Sequence, residues 1–169
     1  MSFGGRVALH GLSALALSLL VALPAAPAGA IDPSLTLSVC QSGAPLRLPS
    51  RGGSVRVTGE MHGQVEGGEL FSGYCAGHYA DEAHFCVEVR HDGTALALEL
   101  TDGGGHDTTL ALVPGSPGAE GDDAMCDDDG GQGLLSRLEV TLDAGVYAIY
   151  VGTFGPDVSS TFALEVTRP

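Results

Sequence analysis

Apolar and polar side chains alternate with period two along almost every apolar run from Leu35 onward, and none of these runs has helical spacing. LTLSV sets Leu35, Leu37 and Val39 on one face, and SVRVTGE sets Val55 and Val57 against Arg56 and Thr58. HFCVEVR opposes Phe85, Val87 and Val89 to Cys86, Glu88 and Arg90; TALALELT and TTLALV continue with alternating leucines. SRLEVTL, VYAIYVG and TFALEVT complete the series. Successive side chains of a strand point to opposite faces, so each run predicts a strand with one buried and one wet side. Short strands with polar connections and no helical segment predict an all-β protein, a sandwich of two antiparallel sheets with about eight strands.

The connections carry turn chemistry. HDGT (91–94) places Asp-Gly between two strands, the signal of a tight hairpin. LDAGVY (142–147) has Asp-x-Gly in the same setting and is read as a second hairpin. Longer loops rich in Gly, Pro and Asp are expected from Gly59 to Ala83, from Asp102 to Asp107 and from Pro114 to Gly133.

Residues 1–30 are expected to leave the fold. One early positive charge, Arg6, precedes an apolar run from Val7 to Leu23 and a tail ending Ala28-Gly29-Ala30. That is the pattern of a secretory signal peptide cut after Ala30. A membrane span is the poorer reading, because His10, Gly11 and several serines interrupt a run shorter than the ~20 apolar residues a span requires. Lipidation at Cys40 is set aside as well, since Val39 stands where LSVC would need a small residue. Residues 31–54 are read as an N-terminal extension with one or two short strands, and 55–169 as one domain.

All 21 acidic residues follow Ala30, against six arginines and no lysine, so the exported part carries −15. That balance argues against nucleic acid and anionic membrane, because binding either begins by neutralising phosphates. It suits cations, basic partners or plain solubility. Four cysteines, Cys40, Cys75, Cys86 and Cys126, lie in the same part. An even number in an oxidising compartment, secreted or periplasmic, points to two disulfides with three allowed connectivities. Cys86 and Cys40 would both point away from the core on their strands, which favours Cys40–Cys86 and leaves Cys75 for Cys126.

The second half resembles a known family. HDTTLALV (106–113) followed by CDDDGGQGLLSRLEVTLDAGVYAIYV (126–151) is similar to the bacterial pre-peptidase C-terminal domain. The matching positions are Asp107-Thr108, Leu110, Leu112, Asp128-Asp129, Gly130, Ser136, Leu138, Leu142, Ala144-Gly145 and Tyr147. Upstream, YCAGHYADEAHFCVEV (74–89) looks like the Cys-Gly-rich loop that leads into that family's x-Tyr-x-Phe strand. His106 and Asp127 depart from the pattern, which has an apolar residue and Asn there. The resemblance implies a small jelly-roll-like sandwich without catalytic activity, of a kind appended to exported proteins. Some similar modules bind calcium or matrix polymers.

Three candidate sites follow from the residues. The acidic loop offers Asp127, Asp128 and Asp129, with Asp107 approaching from a neighbouring strand end, as ligands for calcium. It is not an EF-hand, since Ser136 occupies the bidentate-Glu position, and the same aspartates and glycines suit a turn whose carboxylates bond backbone N–H groups. The turn is the preferred reading. Cys75, His78, His84 and Cys86 suggest zinc superficially, but their spacing does not match structural zinc sites. No G-x-S-x-G, H-E-x-x-H or glycine-rich phosphate loop is present.

The chain is therefore read as a non-catalytic secreted module that binds or assists an extracellular protein or cell-surface polymer. Calcium is its candidate structural ligand. The alternative is a small secreted hydrolase or peptidase inhibitor acting through the loop from Gly59 to Ala83. A hydrolase requires His62, His78 or His84 within hydrogen-bond reach of an acid; an inhibitor requires an exposed, rigid loop held by Cys75.

Overall fold

A computed structural model describes residues 45–49, 52–71, 75–115 and 123–169. The expected signal peptide, the LTLSV strand, Cys40 and its expected bond to Cys86 lie outside these residues. The described strands are β1 (Gly53–His62), β2 (Val65–Glu66), β3 (His78–Tyr79), β4 (Phe85–Val89), β5 (Thr94–Asp102), β6 (Thr108–Pro114), β7 (Met125–Asp127), β8 (Arg137–Leu142), β9 (Gly145–Thr153) and β10 (Ser159–Arg168). A single helical turn, α1 (Gly67–Leu70), lies between β2 and β3.

The strands form two antiparallel sheets that face each other, as the alternation predicts. One has the order β1-β10-β5-β8; the other runs β2-β3-β9-β6-β7, with β4 also paired to β9. β3 and β4 share one side of β9 end to end, Tyr79 facing Gly152 while Phe85 faces Ile149 and Val89 faces Gly145. Taking β3 and β4 as one interrupted strand, and β2 as a short extra edge beside β3, leaves eight main strands, four to a sheet. Every connection except β6 to β7 then crosses from one sheet to the other, which is the jelly-roll arrangement.

Neither expected hairpin forms. Asp92-Gly93 joins β4 to β5, and Asp143-Ala144 joins β8 to β9, and in both cases the two strands belong to opposite sheets. The turn chemistry itself is real: Gly93 has φ +70°, a left-handed conformation that costs glycine little. A tight reversal serves an arch between sheets as well as a hairpin within one.

Between the sheets lies the main core. Leu96, Leu98 and Leu100 of β5, with Leu164 and Val166 of β10, meet Val87, Leu110, Leu112, Ile149 and Val151 of the other sheet. Each such side chain contributes about 1.5–3 kcal/mol by leaving water. Leu46 and Leu48 also pack against this core. Leu46 pairs in parallel with Val87, and its N–H donates to the Cys86 carbonyl at 2.7 Å, so part of the expected extension belongs to the sandwich. Cys86 faces away from this core, as expected, on the side of β4 that lies opposite Ala148, and it is buried there and disulfide-bonded.

The forecast of one wet face per strand fails for β6 and β9, whose residues are nearly all buried on both faces. A second cluster of Phe71, Tyr79, Ala83, Ala111, Val113, Ala148 and Tyr150 covers their outer side. Ala111 and Ala148 leave room for the rings, and Phe71 sits edge-on to Tyr79 and Tyr150 at 4.9 and 5.1 Å. Gly152 is part of this fit: a Cβ there would lie 2.2 Å from the His78 carbonyl oxygen. The long loop expected from Gly59 to Ala83 is therefore a correction. Its start continues β1, and the rest is the β2–α1–β3 cover, clamped by the Cys75–Cys126 disulfide.

Candidate interaction surface at the acidic end of the sandwich

The end of the sandwich where β6 begins is built around a reciprocal clasp. Ser136 N–H donates to Thr108 Oγ1 at 3.0 Å, and Ser136 Oγ donates to the Thr108 carbonyl at 2.8 Å. Both residues are fully buried, so both polar side chains need these partners. Thr108 N–H in turn donates to the Leu134 carbonyl at 3.0 Å. The clasp fixes the turn before β8 against the first residue of β6.

Asp127 braces the same turn. Its Oδ2 accepts the backbone N–H of Gly130 and of Arg137, each at 2.8 Å. The preferred sequence reading of the acidic loop as a turn holds at this residue, and the carboxylate binds the loop to the strand that follows. Arg137 is itself paired, with Glu99 at 3.3 Å and with Glu139.

The other candidate calcium ligands are placed differently. Asp107 Oδ1 is shielded from solvent and has no hydrogen-bond partner. Loss of hydration raises the Asp107 pKa above the usual carboxylate range, and the charges of Asp129 and Asp128 add to that. Among the described residues, no three His, Cys, Asp or Glu side chains come together as a group that could hold a metal ion. Of the zinc set, Cys75 is bonded to Cys126, as expected, and Cys86 is also in a disulfide.

The histidines are spread over structural contacts. His62 Nδ1 lies 3.0 Å from Ser159 Oγ, and its Nε2 reaches only to 3.9 Å from Glu60 Oε2. His78 Nδ1 meets the Phe154 carbonyl at 3.3 Å, and His84 Nε2 meets the Glu60 carbonyl at 2.9 Å. The β2–α1–β3 segment turns its large side chains inward, with Phe71 and Tyr79 fully buried. Burial is the main reason the Tyr79 hydroxyl is pushed up to about 12.

Sequence reasoning missed two residues at this end. Leu134 and Phe154 are the large apolar side chains left exposed among the described residues, at 57% and 49%. Their backbones hold adjacent positions of one strand start: Phe154 N–H donates to the Asp107 carbonyl at 3.0 Å, while Leu134 accepts from Thr108. Leu134 also borders a groove of about 300 Å3 with Asp102 and His106. The available signals were weak ones, a Leu134-Leu135 doublet that breaks the alternation and a phenylalanine inside the turn TFGPD.

No family model matches the chain, and no curated protein matches it. Among solved structures it is similar to the Aeromonas hydrophila PliG, a periplasmic lysozyme inhibitor of g-type lysozyme. That likeness has 15% identity and a TM-score of 0.48, covering 74% of this chain and 94% of that one, and is too distant to carry a functional argument. No helix among the described residues is long and apolar enough to cross a membrane.

Proposed function

We propose that the chain is a non-catalytic, exported binding module that meets a basic protein surface through the end carrying Leu134 and Phe154. One observation carries this reading. The two exposed large apolar side chains flank a single strand start, and the carboxylates of Asp107, Asp128 and Asp129 lie beside it. Apolar anchors rimmed by charge are the arrangement from which protein interfaces draw affinity and specificity. The overall charge of −14 would speed approach to a cationic partner and repel polyanions.

Export is supported by the signal-like residues 1–30 and by the Cys75–Cys126 disulfide, a bond that persists in oxidising compartments. The likeness to the pre-peptidase C-terminal domain belongs to the same proposal. Its Thr108 and Ser136 positions are those that form the buried clasp.

The test is capture of exported proteins by the purified protein, compared with Phe154→Ala and Leu134→Ala. The module reading expects a salt-sensitive cationic protein, weakened by each change at about 1–2 kcal/mol. Retention that ignores both substitutions would remove this surface from consideration.

A further inference from the structure

Positive charge is scarce on this protein and unevenly placed. Of the five described arginines, Arg137 is paired with Glu99 and Glu139, and Arg56 stands exposed on β1. The other three, Arg47, Arg90 and Arg168, line one cleft of about 430 Å3. It lies at the end of the sandwich away from Phe154: Val89, in its wall, pairs with Gly145 at the start of β9, whereas Phe154 follows the end of that strand. Segment 45–49, the end of β4 and the end of β10 each bring one guanidinium to it.

Glu88 is the single carboxylate side chain in the lining, 3.3 Å from Arg90. Arg47 and Arg168 make no ion pair with any described residue. The lining is thus net positive on a protein of net charge −14. Leu46, Leu48 and Val89 supply an apolar wall, and the neighbouring corner is closed by Thr94 Oγ1 donating to the His91 carbonyl at 2.6 Å.

We propose that this cleft binds a small organic oxyanion, a phosphate or carboxylate group carried on a compact apolar body. Guanidinium groups match both oxyanions with paired N–H donors, and unneutralised ones beside an apolar wall fit a ligand with a charged head and an apolar remainder. The volume falls within the ~300–1,000 Å3 of small-molecule sites. Anionic lipids display the same head group, but a bilayer bearing them repels a body with this much negative charge, so the ligand is soluble.

Isothermal titration of the purified protein at low salt with phenyl phosphate, benzoate and benzyl alcohol tests the site. Binding of phenyl phosphate or benzoate but not of the neutral alcohol supports it. So does a loss of about tenfold in Arg47→Ala and in Arg168→Ala, with a gain in Glu88→Gln, which removes the competing carboxylate. That gain also separates the site from a folding defect. Failure of both anions to bind, equal binding of the alcohol, or unchanged affinity in both arginine variants overturns the proposal. Capture by phosphatidylglycerol vesicles in place of the soluble probes overturns it too.

Discussion

Asp92 Oδ1 accepts the backbone N–H of Ala144 at 2.8 Å, across 52 residues of chain. The bond ties the β4–β5 arch to the β8–β9 arch, so two corners that each switch between sheets hold one another in place. Tyr147 supports the second corner by donating its hydroxyl to the Asp143 carbonyl at 3.0 Å. Asp92→Ala is expected to cost about 1 kcal/mol, because the exposed N–H can turn to water instead. Asp92→Asn keeps an acceptor and should lose less. Urea unfolding of the two variants measures both, and equal losses would show that the carboxylate charge, not the bond, matters.

His84 stitches the two sheets together. The Val151 N–H can only donate, so His84 Nδ1 accepts it at 3.2 Å and the ring proton sits on Nε2, donated to the Glu60 carbonyl at 2.9 Å. Val151 belongs to β9 in one sheet and Glu60 to β1 in the other. Burial lowers the His84 pKa, with His62 adding to the effect and the Glu60 bond opposing it. The fold selects the neutral ring. Its contribution is therefore complete above the unfolded value of ~6.5 and is lost as pH falls through the folded value. Chemical unfolding at pH 7.5 and pH 5 should show a steeper loss for the wild type than for His84→Ala, which starts less stable. Identical slopes would contradict this.

Asp107 has the opposite sign. Its folded pKa is raised, so at neutral pH the ionised group subtracts stability, and the deficit is relieved as pH falls through the folded value. Asp107→Asn is expected to raise the thermal midpoint at pH 7 and to lose that advantage in acid. A calcium ion held by Asp107, Asp128 and Asp129 would reverse the result, the wild type gaining from millimolar calcium and the variant failing to gain. Thermal scans with calcium and with chelator separate the two outcomes.

The Cys75–Cys126 bond spans a sequence separation of 51 and fastens the cover over the outer face of β6 and β9. Replacing both cysteines with serine should cost about 4 kcal/mol on the chain-entropy account. The loss should fall first on the cover, which is then held to the sheet by the two-residue pairing of β3 with β9 and the packing of Phe71 and Tyr79. Near-ultraviolet circular dichroism would report it as a fading tyrosine signal before the sheets melt. A simultaneous loss of both would mean that the cover and the sandwich fold as one unit.

Which surfaces mattered was the hard part to read. The Asp127 brace was legible as turn chemistry, because its carboxylate takes a backbone N–H only three residues on; the Thr108 and Ser136 clasp, which joins residues 28 apart, was not. Nor was the basic cleft. Arg47, Arg90 and Arg168 are remote in sequence, and nothing local to any of them announces the other two. Phe154 and Leu134 were also missed, since exposure depends on what the rest of the chain fails to cover.

The alternation of apolar and polar residues determined by itself that this chain makes strands, and the Asp-Gly and Asp-Ala-Gly steps determined where it reverses. Both are consequences of local sterics, which act between neighbouring residues and need no other part of the molecule. The tertiary structure alone decided that those reversals cross between sheets, that β6 and β9 are covered on both faces, and that three arginines share a cleft. Strand pairing depends on backbone partners tens of residues away, and a turn that merely sends the chain back is indifferent to which sheet receives it.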